Sequence, residues 1–195
     1  MKREILRDRT SQISFERARR EDFPAIVRLN SANFMANLTA QERQEGFLSA
    51  AFTLEQTSAI GDDLGTMIAG VDDEVVGFLC AMRNEFDHGS PVVAKMLESY
   101  DRLRFGGKPL REYNSYIYGP VCIDRAYRGK GFLRGLYEAQ KQELAGKFEL
   151  GVALISRDNP HSLQAHIAGL GMIETGDFEV KGNAYATVAF RVSAQ

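Results

Sequence analysis

The chain has 195 residues, of which 44% are apolar and 26% charged, enough for one core that buries roughly two-thirds to three-quarters of the unfolded surface. Its 24 Lys and Arg nearly cancel 26 Asp and Glu, leaving a net charge of −2, so no global positive field collects nucleic acid or an anionic membrane, and a phosphate ligand has to be caught locally. Cys80 and Cys122 each sit inside an apolar run, which argues against a disulfide framework or a zinc site and for a reducing cytosol; no metal is expected. The charged N-terminus leads into no apolar stretch, and no window of about 18 apolar residues follows, so a cytoplasmic, soluble protein is expected.

Residues 1–12 are polar and read as a frayed segment, with a single domain over 13–195. Ile13 and Phe15 alternate with polar neighbours as a short half-buried strand does. Helical spacing of apolar residues covers 21–34, with Pro24 in the first turn, and further helices are expected over 41–52 and 54–60. Strands over 66–71 and 74–82 flank Asp72-Asp73, a tight hairpin turn. The second is apolar on successive residues, the pattern of a strand covered on both faces.

The connection from 86 to 113 is long for a small domain, contains a helix over 92–103, and has the length of a lid or binding segment. Residues 116–123 form a strand in which Gly119-Pro120 predicts a bulge. A helix over 131–146, a buried strand over 150–156, a helix over 160–170, and a hairpin of 172–180 with 184–192 complete the chain. These elements make one mixed α/β domain, with no internal repeat or linker.

The most informative stretch is V-C-I-D-R-A-Y-R-G-K-G-F-L-R-G-L-Y, residues 121–137, where a strand ends and Arg128-Gly129-Lys130-Gly131 leads directly into a helix. The first N–H groups of a helix lack internal partners and carry about half a positive charge, and glycines allow close approach of a ligand, so the loop suits a pyrophosphate. A nucleoside-triphosphate loop fails, because Gly107-Lys108, Gly129-Lys130 and Gly146-Lys147 are followed by Pro109, Gly131 and Phe148 rather than Ser or Thr. The dinucleotide pattern G-x-G-x-x-G also misses, with Arg134 where the third glycine belongs and Gly135 one residue late, although the strand-turn-helix context suits it. A purely structural glycine turn is the remaining alternative.

Residues 121–137 resemble the acyl-CoA-binding motif of the GNAT N-acetyltransferases, in which Gln or Arg is followed after two residues by Gly, one residue, then Gly or Ala. Arg128 and Gly131 match, and Leu133 stands at the final small position. The resemblance implies a mixed sheet of about seven strands with helices on both faces. It further implies that coenzyme A is held by the backbone of Arg128, Gly129, Lys130, Gly131, Phe132 and Leu133, with the pantetheine arm along Val121, Cys122 and Ile123 beside the bulge.

A second segment, N-P-H-S-L-Q-A-H-I-A-G-L-G-M at 159–172, supports the first. Asn159 is a good N-cap, Pro160 a good first-turn residue, and Asn159, Ser162 and His166 share one face. This resembles the second GNAT signature, with His166 at the usual Tyr position and one extra residue before Gly171. Asn159 and Ser162 thereby join the cofactor side.

The implied reaction is attack of an amine on a thioester, which needs a neutral amine, a donor for the carbonyl oxyanion and a proton for the departing thiolate. By analogy His166 donates to the sulfur, and a backbone N–H near Val121 serves the oxyanion. Glu85 and Asp87, following the buried strand, are candidate bases, while Asn33, Phe34, Tyr116 and Tyr118 are candidates to line an acceptor pocket. Each has a plain structural reading too: a satisfied helix histidine, solvated carboxylates, tyrosines packed on a sheet. Two function classes follow: an acyl-CoA-dependent N-acetyltransferase acting on a primary amine of a small molecule, amino acid or peptide, or a non-catalytic acyl-CoA-binding sensor. Neither calls for nucleic acid or membrane as partner; a homodimer through the terminal hairpin is compatible with the pattern but not required by it.

Overall fold

The structure is a computed structural model and describes residues 11–193. Of the expected frayed segment 1–12, the first ten residues lie outside the described residues. Along the chain, β1 (Ile13–Arg17) leads to α1 (Phe23–Asn33), the single-turn α2 (Ala40–Arg43) and α3 (Leu54–Asp63), then to β2 (Gly65–Val71) and β3 (Glu74–Arg83). An insertion holds α4 (Pro91–Glu98) and a small hairpin of β4 (Arg104–Phe105) with β5 (Lys108–Pro109). The second half is β6 (Ser115–Ile123), α5 (Phe132–Leu144), β7 (Leu150–Ser156), α6 (Pro160–Gln164), β8 (Ile173–Val180) and β9 (Asn183–Arg191).

Seven strands form one sheet in the order β1-β2-β3-β6-β7-β9-β8, the mixed sheet that the sequence implies. Period-2 alternation divides its side chains between two layers. Ile68, Phe78, Cys80 and Met82 pack with Phe23 and Ile26 of α1 and Ile60 of α3, while Met67, Leu79 and Ala81 pack with Phe132 and Leu136 of α5. Helices therefore cover both faces, and β3 is buried on both sides from Val76 to Met82. Asp72 and Asp73, with φ of 49° and 69°, make the tight β2–β3 turn that their position between two strands predicts.

All neighbouring strands run antiparallel except β6 and β7, which pair only at Ser115, Ile117 and the residue between them before parting. Their separation opens a V in the sheet. The bulge falls at Gly119-Pro120 as expected: Leu79 faces Val121 and Ala81 faces Tyr118, so Cys80 has no partner on β6. Gln140 of α5, 1% exposed, compensates by donating from Nε2 to the Cys80 carbonyl at 3.0 Å and accepting the Tyr116 hydroxyl at 2.9 Å.

Two expectations need correction. The helix over 41–52 stops after one turn, because Gly46 takes a left-handed φ of 101° and Leu48 forms a parallel bridge with Phe34. The insertion is a plug rather than a lid: α4 packs against β8, and Met96, Leu103, Phe105 and Leu110 are buried in the core at the end of the sheet. The helix after β7 is also modified, since residues Ala165–Gly169 widen into a π turn that absorbs the extra residue before Gly171.

Gln140→Leu removes the partner of two buried polar groups at the bulge. The expected loss is about 1–3 kcal/mol for each group left alone, read as a lower urea midpoint with unchanged slope.

Candidate active site

The divergence of β6 and β7 leaves a cleft of about 410 Å³ on the α5 side of the V. One bank is the end of β6, with Val121, Cys122 and Ile123, and the loop that follows, with Arg128, Gly129 and Gly131, running into Phe132, Leu133 and Arg134. The other bank is the start of the helix after β7, with Asn159, His161, Ser162 and His166. Asn33 and residues 45–48 close the remaining side. Eleven of the sequence-derived cofactor and catalytic positions thus meet in one place: Val121, Cys122, Ile123, Arg128, Gly129, Gly131, Phe132, Leu133, Asn159, Ser162 and His166.

The phosphate-loop geometry follows from two glycines. Gly129 and Gly131 have φ of 72° and 88°, and a Cβ at either would meet no atom of the described residues within 4 Å beyond its own chain neighbours, so the loop backbone faces open room. The first bond of α5 runs from the Gly135 amide to the Gly131 carbonyl, and no side chain caps the helix. The amides of Phe132, Leu133 and Arg134 are left without a helical acceptor, at the positive end of a 13-residue helix. This donor set fits a pyrophosphate. Lys130 stands outside the cleft, its ammonium 5.6 Å over the Tyr127 ring. The small position that Leu133 does not supply reappears at Gly135, where a Cβ would stand 2.1 Å from the Phe15 ring.

His166 is 4% exposed, and its Nδ1 lies 2.7 Å from the Ser162 carbonyl, so Nδ1 carries the proton and donates it there. Burial pulls its pKa below the ordinary histidine value, partly opposed by that carbonyl. A neutral ring whose only N–H is committed leaves Nε2 as a bare acceptor. In this geometry the resting ring has no N–H free to donate to sulfur, as was expected of it: Nε2 accepts, and it can pass a proton to sulfur only after taking one up. Cys122 lines the cleft, but burial pushes its thiol up to about 12, which keeps it protonated and a poor nucleophile.

Glu85 and Asp87 are not brought to this cleft. Because β3 runs antiparallel to β6, its end at Arg83 pairs with Tyr116, seven strand residues from Ile123, about 23 Å at strand rise. Both carboxylates are exposed there, and Asp87 accepts the Gly89 amide. Tyr116 and Tyr118 are 0% and 3% exposed, and neither lines the cleft; Tyr116 lies where β6 and β7 are still paired. Tyr118 sits edge-on to His166 with ring centroids 5.6 Å apart, its hydroxyl without a partner among the described residues and its pKa raised by burial. Asn33 lines the cleft with its side chain bound to Arg128, whereas half-buried Phe34 does not line it. The sequence reading missed Arg134, His161 and residues 45–48; the first two stand in the first turns of the helices that begin at Phe132 and Pro160, but nothing in the pattern announces the third.

No family model matches the sequence, and no curated protein matches it. Solved structures do match at the level of fold. An N-acetyltransferase from Staphylococcus aureus Mu50 is 16% identical, covering 94% of this chain and 100% of its own, with a TM-score of 0.61. The yncA protein of Salmonella typhimurium, solved with acetyl-CoA, is 18% identical over 94% of this chain and 95% of its own, with a TM-score of 0.59. The fold is that of the GNAT N-acetyltransferases. The ribosomal-protein-S18-alanine N-acetyltransferase of Escherichia coli shares this GNAT fold at 11% identity, with coverage of 94% and 96% and a TM-score of 0.60.

Gly131→Val forces a β-branched residue into left-handed backbone, at a cost of about 1–2 kcal/mol or more, and fills the loop mouth. Calorimetric titration with inorganic pyrophosphate is expected to show binding to the wild type and none to this variant.

Proposed function

We propose that the protein transfers an acetyl group from acetyl-CoA to a primary amine of a small molecule, amino acid or peptide. The observation that carries this reading is the left-handed pair Gly129 and Gly131 opening an uncapped helix at the mouth of a split sheet, in the fold of known N-acetyltransferases. The amides of residues 129–134 hold the diphosphate, and Val121, Cys122 and Ile123 carry the pantetheine arm toward the bulge. When bound, acetyl-CoA supplies an acyl group activated as a thioester. A backbone N–H at the bulge, about Val121, donates to the carbonyl oxygen. Nε2 of His166 takes the proton that a neutral attacking amine sheds, then gives it to the departing sulfur, so amide and free thiol form without net uptake of a proton. The Ser162 carbonyl fixes the ring for both halves of that exchange.

The non-catalytic sensor is the second reading, since binding needs only the loop. It is favoured by the distance of Glu85 and Asp87 from the cleft, which leaves His166 as the single sequence-derived acid–base group there.

A free-thiol assay with acetyl-CoA over a panel of amines separates the two. The enzyme reading expects thiol release with at least one amine, and a loss of about 10²–10⁴ in turnover for His166→Phe with coenzyme A affinity kept. Unchanged turnover removes His166 from the reaction, and binding without turnover for any amine supports the sensor.

The pH dependence follows from the depressed pKa of His166. The neutral ring is the working form and persists below the ordinary value of about 6.5. The acid limb that belongs to His166, the one His166→Asn removes, is therefore expected below pH 6.5 in turnover at saturating substrate, apart from any limb set by the amine itself. An acid limb at or above 6.5 that His166→Asn abolishes contradicts this.

A further inference from the structure

Residues 45–48 bridge the two banks of the cleft. From the phosphate-loop bank, Nη1 of Arg128 donates to the Glu45 carbonyl at 2.9 Å. From the opposite bank, Nδ2 of Asn159 donates to the Phe47 carbonyl at 3.0 Å. Between them Gly46 is buried in left-handed backbone, and a Cβ there would stand 3.5 Å from Nδ1 of His161 and 3.7 Å from Oδ1 of Asn159. Leu48 is tied back to α1, its amide donating to the Asn33 carbonyl at 2.9 Å. The segment is stapled at both ends across the V by side chains from the two segments that the sequence assigns to the cofactor.

Three of the five N–H groups of Arg128 are spent on the protein. Its Nε donates to the Ile123 carbonyl at 3.1 Å, its Nη1 to Glu45 and its Nη2 to Oδ1 of Asn33 at 2.8 Å, so every guanidinium nitrogen already has a protein acceptor. Asn159 is similarly engaged, with Oδ1 accepting the Ser162 amide at 3.2 Å while Nδ2 holds Phe47. A planar guanidinium meeting three oxygens in fixed directions is a geometric device, and a point charge of the same sign does not reproduce it.

We infer that residues 45–48 form a strap over the mouth of the V, that Arg128 and Asn159 are the positioning residues that hold it, and that Arg128 is not a phosphate ligand. This rests on the acyl-CoA reading of the cleft: the loop amides bind, and the strap shapes the wall from which the amine approaches. Arg128 transmits the position of the phosphate loop to Asn33 and the strap, so its loss loosens the acceptor side and leaves the diphosphate cradle in place.

The test uses the full chain as wild type, Arg128→Ala, Arg128→Lys and Asn159→Ala, each checked for a cooperative thermal transition. Calorimetry measures coenzyme A affinity, and limited chymotrypsin digestion with mass spectrometry measures the cleavage rate after Phe47. The expected result is cleavage at least tenfold faster in all three variants, with coenzyme A affinity of the two Arg128 variants within threefold of wild type. Arg128→Lys fails to protect the strap because one ammonium cannot span the three oxygens. An affinity loss of tenfold or more in Arg128→Ala that Arg128→Lys restores makes residue 128 a phosphate ligand and overturns the inference. So does cleavage after Phe47 that stays at the wild-type rate. Wild-type protein that binds no coenzyme A refutes the acyl-CoA reading instead, and the digestion still decides whether the strap is held.

Discussion

A helix that begins with amides pointing at no protein acceptor has to be completed from outside, by water or by a ligand whose negative charge suits the positive end of the dipole. In this chain that helix is α5, and the constraint reaches in both directions. Gly129 and Gly131 are glycines because the turn that presents those amides needs left-handed backbone twice in three residues. The helix packs Phe132 and Leu136 against the sheet, which fixes where its first turn points.

The cleft in front of those amides exists because two parallel strands stop pairing after three residues. Any such opening strands backbone groups that a regular ladder would satisfy. The bulge at Gly119-Pro120 does the same on the other flank of β6, and Gln140, reaching from α5 to the Cys80 carbonyl and the Tyr116 hydroxyl, repairs it from within the core. One helix therefore supplies the anion-facing amides at its start and the internal repair one turn before its end. The strap at residues 45–48 completes the enclosure from the third side, and the buried, Ser162-oriented imidazole of His166 provides the cleft with a proton acceptor of fixed direction.

Much of this was legible in the residues. Alternation and all-apolar runs located the strands of the main sheet, and R-G-K-G between a strand and an amphipathic helix located the loop, because glycine placement and helix periodicity are local signals. What failed was non-local. Glu85 and Asp87 were placed near the chemistry because they follow a buried strand, but a 28-residue connection permits either a parallel or an antiparallel return, and the antiparallel one sends them to the far end of the sheet. Residues 41–52 carry Phe47, Leu48 and Phe52 at spacings that pass for a helix, while their actual partners, Arg128 and Asn159, lie 83 and 112 residues away from the carbonyls they bind. The role of His166 turned on which ring nitrogen meets a carbonyl, and sequence cannot say that.

The central claim is that the amides of residues 129–134 grip the diphosphate of coenzyme A. Amide chemical shifts recorded while coenzyme A is titrated, with pantetheine as the control lacking diphosphate, test it most directly. The account predicts large shifts at Gly129, Gly131, Phe132 and Leu133 with coenzyme A and small ones there with pantetheine. Shifts at those amides that are equal for both molecules, or that appear instead around Glu85 and Asp87, contradict it.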